Sequence, residues 1–148
     1  MKQLLLVDDD VHVVQALGNI LRRRRDSWEV RLACDANEAI REMEAHPADV
    51  IISDFQMPGI DGCELMTRIE RDWPSTVRIM LTGDTDEAVH RRLVSVTHAL
   101  LSKPVSSKLL VETMDRVNVV LEYFASGRLR TAAKSSEAMA NIANPSPK

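Results

Sequence analysis

A fivefold alternation constrains this chain more than any other feature: a short apolar run of strand length, then a stretch with helical spacing, repeated through residue 124. Residues 3–7, 28–33, 49–53, 77–81 and 98–102 read as strands. Residues 11–21, 36–45, 62–72, a short piece ending near Val94, and residues 106–124 read as helices. Parallel strands cannot be joined by short loops and need crossover helices, so the pattern specifies an α/β fold with a parallel sheet. In the second strand Trp28, Val30 and Leu32 alternate with Glu29, Arg31 and Ala33, one face buried and one partly wet, which suits a sheet edge. The second strand is more polar than the first, third and fourth. A doubly wound (βα)5 sheet of order 2-1-3-4-5 follows, with the ends of the first and third strands adjacent at its switch point.

Local signals punctuate the alternation. Asp10, Asp61 (with Glu64 three residues on) and Asp84 (with Glu87) stand where helix N-caps are expected. His46-Pro47 and Trp73-Pro74 close two helices. On the last helix Leu110, Met114, Val117, Leu121 and Phe124 form a 4-3-4-3 stripe; its first half reads as core, and its end is long enough for a coiled-coil stub, with two heptads too few to decide between the two. His98 reads as an ordinary strand-entry residue.

Composition narrows the class. At 148 residues one domain is expected, large enough to form a core without disulfides. Cys34 and Cys63 lack ligand spacing and read as reduced packing residues in a cytoplasmic protein. No apolar run approaches the ~18 residues of a membrane span. The net charge is −3; residues 125–148 hold Arg128, Arg130, Lys134 and Lys148 against Glu137 alone, so residues 1–124 carry −6. An acidic body argues against direct nucleic-acid binding. The dense basic run, Arg22 to Arg25, falls at a helix C-terminus, where cations offset the helix dipole.

The strand ends carry the chemistry. The first strand stops at Asp8, Asp9 and Asp10, the third at Asp54, the fourth at Thr82 and the fifth at Lys103. Clustered acids repel one another and are tolerable with a cation bound and a lysine nearby. Hard oxygen donors with room for water or phosphate suit Mg²⁺. Asp9 and Asp54 are the natural direct ligands, the Gln56 backbone carbonyl can add an oxygen, and Asp8 would act through a metal-bound water. With charge neutralised, one carboxylate can attack phosphorus and become an aspartyl-phosphate, while Thr82 and Lys103 engage phosphoryl oxygens.

Leu5-Leu6-Val7-Asp8-Asp9-Asp10, Ser53-Asp54 with Met57-Pro58-Gly59 and Asp61-Gly62, Met80-Leu81-Thr82-Gly83 and Ser102-Lys103-Pro104 together resemble the receiver domain of two-component response regulators over residues 3–122. The resemblance implies that Asp54 accepts a phosphoryl group from a sensor histidine kinase or phosphotransfer protein. It further implies that Asp8 and Asp9 form the acidic pocket, Thr82 is the switch hydroxyl, Lys103 senses phosphate and Lys103-Pro104 is cis. Gln56 and Asp84, two residues past Asp54 and Thr82, would tune the lifetime of the phosphoryl group. Homodimerisation through the face of the fourth helix, fifth strand and fifth helix is also expected. Receivers commonly carry an aromatic ring three residues before the lysine; here Leu100 stands there, so switching depends more on the loop after Gly83. Residues 1–124 are expected to be the receiver domain, and residues 125–148 a linker or tail leading to an output domain, similar to receivers that precede HDOD or HD-type outputs. Two other readings differ in class. A haloacid-dehalogenase-like phosphatase would use Asp8 and Asp10, but leaves Asp54 unexplained and lacks an acid pair after Lys103. A receiver-like interaction module would work without phosphorylation.

Overall fold

The computed structural model describes residues 1–23, 28–83 and 86–125. Strands and helices alternate as β1 Lys2–Val7, α1 Val11–Arg22, β2 Trp28–Ala33, α2 Ala36–Ala45, β3 Val50–Asp54, α3 Gly62–Asp72, β4 Val77–Thr82, α4 Glu87–Val96, β5 Ala99–Ser102 and α5 Ser107–Ala125. The sheet order is β2-β1-β3-β4-β5, every pair parallel, as the alternation predicts. Val7 lies opposite both Ala33 and Ser53, which sets the carboxyl ends of β1 and β3 side by side.

Period-two alternation divides the central strands between two cores. Leu4, Leu6, Ile52, Ile79 and Leu81 pack with Val14, Leu17 and Leu21 of α1 and Leu110, Met114 and Val117 of α5. Leu5, Val7, Ile51 and Met80 pack on the other face with Ala39, Met43, Leu65, Met66, Ile69 and Leu93. Every residue of β3 and β4 is buried. Each fully buried Leu or Ile contributes ~1.5–3 kcal/mol, and runs of them offset the cost of holding carboxylates at the strand ends.

Several expectations need correction. Asp86, with its carboxylate accepting from Ala88 N at 2.8 Å, is the N-cap of α4, and Asp84 lies outside the described residues. The helix also runs past Val94 to Val96, because Thr97 Oγ1 donates to the Leu93 carbonyl at 2.7 Å and closes its last turn. The second face of β2 is partly wet as expected: Glu29 is exposed, Ala33 is buried against α2, and Arg31 donates to the Glu42 and His46 carbonyls at the end of that helix. The end of α5 stays on the sheet, because Leu121 and Phe124 pack against the first core and Lys2 lies 3.8 Å from Glu122. Cys63 is buried as expected, but Cys34, just past the edge strand, is exposed. Asp10, Asp35 and Asp61 cap α1, α2 and α3 through bonds of 2.7–2.9 Å. Arg22 and Arg23 stand at the end of α1; the other two arginines of that run and residues 126–148 lie outside the described residues.

Candidate functional site

The switch point brings three acids and a lysine together. Carboxylate oxygens of Asp8, Asp9 and Asp54 all lie within 4.8 Å of one another. Asp8 and Asp54 are only 4% and 7% exposed, whereas Asp9 faces solvent. Lys103 Nζ reaches across the sheet to Asp54 Oδ1 at 2.8 Å and Asp8 Oδ2 at 3.4 Å. The other Asp8 oxygen accepts from Asp10 N at 2.9 Å. Burial pushes the Asp8 carboxyl up, and the neighbouring Asp54 charge adds to that rise against the pull of the Asp10 amide and Lys103. Burial by itself lowers the Lys103 ammonium, but its hydrogen bond to Asp54 and the charges of Asp54 and Asp8 outweigh this, and the net shift is upward. Three acids with one ammonium leave an excess of negative charge on hard oxygen donors, which fits a divalent cation such as Mg²⁺.

The remaining predicted residues take distinct places. Thr82 ends β4 and is buried; its carbonyl accepts from Lys103 N at 3.0 Å, which ties the threonine and the lysine to adjacent strand ends. Gln56 is exposed in the loop beyond β3, between buried Phe55 and Met57. Leu100 is half-buried against the second core. The Lys103-Pro104 peptide is cis.

Two residues contribute in ways their motifs do not announce. Gly62 begins α3 directly beneath the phosphoacceptor candidate: a Cβ there would lie 2.5 Å from the Asp54 carbonyl oxygen and 2.9 Å from both Phe55 Cα and Met80 Sδ. Its amide donates to the Phe55 carbonyl at 2.8 Å. A glycine at the first position of a helix, where it has no propensity advantage, is the signal that could have found it. Arg78, on a strand that reads as apolar, is buried at the opposite end of β4. It donates to the Val96, Thr76 and Pro74 carbonyls and pairs with Glu70 at 3.2 Å. His98 locks this cluster, accepting from Arg78 N at Nδ1 (2.9 Å) and donating its own amide to the Arg78 carbonyl (2.8 Å).

Comparison with known proteins agrees with this geometry. Residues 4–115 match the family described as the response regulator receiver domain. The chain belongs to that family. The receiver is 33% identical over 114 residues to the transcriptional regulatory protein GlrR of Escherichia coli K12, covering 76% of this chain and 25% of that protein. It is 30% identical over 114 residues to the transcriptional regulatory protein TrcR of Mycobacterium tuberculosis, covering 74% and 42%. It thus spans a quarter to under half of these curated relatives. Among solved structures, chemotaxis response regulator CheY4 of Vibrio cholerae superposes with a TM-score of 0.73 at 30% identity, covering 79% of this chain and 98% of that one. The signal receiver domain of an HD domain-containing protein from Pseudomonas fluorescens Pf-5 does so at 0.76 and 30%, covering 84% and 98%. Among the described residues no helix is long and apolar enough to cross a membrane.

Proposed function

We propose that this receiver accepts a phosphoryl group on Asp54 from the phosphohistidine of a sensor histidine kinase or phosphotransfer protein, in a Mg²⁺-dependent reaction in the cytoplasm. The observation that carries this reading is the Asp54 carboxylate at the carboxyl end of β3, 2.8 Å from Lys103 Nζ and grouped with Asp8 and Asp9. An Asp54 oxygen attacks phosphorus; the new O–P bond forms as the P–N bond breaks, and its electron pair returns to the imidazole ring. Bound Mg²⁺ would neutralise charge shared between the carboxylates and the phosphoryl oxygens. Asp9, Asp54 and the Gln56 carbonyl would hold it, with Asp8 acting through a water. Lys103 pairs with one phosphoryl oxygen and the Thr82 hydroxyl donates to another.

The signal then leaves through the segment after Gly83 and the face of α4, β5 and α5. Leu100 carries no hydroxyl and no ring to gate, so Thr82 must act on that segment. Gln56 and Asp84 set how long the phosphoryl group survives. This face makes the homodimer, and residues 125–148 lead to an output domain. The similarity to the receiver of an HD domain-containing protein supports an output of that kind. The test is intact-mass measurement after incubation with acetyl phosphate and Mg²⁺. A gain of one phosphoryl group, abolished by a chelator, is expected; an equal gain without divalent metal would refute the metal's part.

A further inference from the structure

The end of the β3–α3 loop carries a carboxylate with two duties. Asp61 Oδ1 accepts from Glu64 N at 2.9 Å and caps α3, while Oδ2 lies 3.7 Å from Arg92 Nη2 on α4. The next residue, Gly62, is packed without slack against the backbone of Asp54 and Phe55. A displacement of the Asp54 backbone therefore moves Asp61, and with it the charge facing Arg92. The helix on the far side is held unevenly. Its lower end is fixed by buried Arg78, whose Nε donates to the Val96 carbonyl at 2.9 Å, and Leu93 is its one fully buried residue. Arg92 and Asp61 are 53% and 30% exposed, so their pair is weaker and more easily broken than the buried Arg78 anchor at Val96.

We propose that Asp61 and Arg92 form an ionic latch between the end of the phosphoacceptor strand and α4, which makes Arg92 a positioning residue for the β3–α3 loop. The inference rests on Asp54 as the phosphoacceptor. It adds a route to α4 that does not pass through Thr82 or the segment after Gly83. Arg92 lies on another helix; its carbonyl accepts from Cys63 Sγ at 4.0 Å, but its guanidinium faces Asp61, so the effect of its charge is transmitted by the loop.

Residue-resolved amide exchange on the full 148-residue chain without a phosphodonor tests the latch. Arg92→Gln should speed exchange about two- to fivefold at residues 90–92 and at the Gly62 amide, leaving residues 95 and 96 unchanged, as expected for an exposed ion pair. Arg92→Lys, which restores the charge, should return most of the protection. No change at Gly62, equal loosening of the whole helix, or failure of lysine to rescue would overturn the latch. With acetyl phosphate and Mg²⁺, Arg92→Gln should label Asp54 about two- to fivefold more slowly with an unchanged urea midpoint, and an unchanged rate would refute the positioning role. If the wild-type chain takes no label at all, the phosphoacceptor reading falls, and the exchange measurement still decides whether the latch exists.

Discussion

Asp54 has its carboxylate paired with Lys103 at 2.8 Å and its backbone closed in from behind. Ser53 Oγ donates to its carbonyl at 2.9 Å, and Gly62 leaves no space for a side chain against the same oxygen. Gly62→Ala should therefore cost about 2–4 kcal/mol in urea unfolding, although alanine is the better helix former by ~1 kcal/mol. A neutral or stabilising result would show that the close approach is not binding. Asp9→Asn removes one of three mutually repelling acids, so it should abolish any Mg²⁺ response while leaving thermal stability equal or higher; a clear drop in the melting temperature without metal would count against a strained pocket. At the other end of the sheet, burial and then the Arg78 charge lower the His98 pKa to about 4 from its ordinary 6.5. The unfolded chain thus binds the extra proton first: the contribution of neutral His98 is complete above pH 6.5 and is lost as pH falls toward 4. Between pH 7.5 and 5 the wild type should lose about 1–2 kcal/mol more than His98→Gln in urea unfolding, and parallel losses would contradict the burial of a neutral imidazole. Asp8, Asp9, Asp54, Thr82 and Lys103 are legible in the sequence because each marks the point where an apolar run turns polar. Gly62 is marked only by its place at a helix start and Arg78 not at all, since their roles consist of contacts between segments that become neighbours only on folding.

At the scale of elements, the alternation of runs is enough to order the sheet, and the departures lie at helix ends, where a neighbouring local cap or a tertiary contact decides the boundary. α4 takes its cap from Asp86 and its final turn from Thr97 and Arg78, none of which is implied by an acid at position 84. The 4-3-4-3 stripe of α5 shows the same effect. Its spacing is compatible with a coiled coil or a core-facing stripe, and the sheet decides for the core over the whole length, with Leu121 and Phe124 half-buried against β-strand residues and α1. Phe124→Ala should consequently destabilise the domain by about 1–2 kcal/mol in urea unfolding, less than the ~3–5 kcal/mol of a fully buried phenylalanine. A change near zero would mean that this end of the helix does not pack on the sheet. Cys34 illustrates the limit of composition: a thiol without ligand spacing has no marker for burial, and here it lies just past an edge strand, outside either core.

Across the whole molecule, two apolar layers hold a sheet whose carboxyl edge gathers the acids and the lysine, while its amino edge gathers Arg78, His98 and Glu70. The first cluster suits chemistry because its charges are not balanced; the second suits anchoring because its arginine is surrounded by acceptors. Under the proposed latch, phosphorylation at one end would act on α4 while the base of the same helix, held through Arg78 and the Val96 carbonyl, stays fixed. Which residue carries the phosphoryl group can be read directly. Borohydride reduces an acyl phosphate to the alcohol, so treating the protein after incubation with acetyl phosphate and Mg²⁺ converts a phosphorylated aspartate to homoserine, which peptide mass spectrometry locates. Homoserine at position 54, absent from Asp54→Asn, is the predicted result; homoserine at position 8, or the same product in Asp54→Asn, would contradict it.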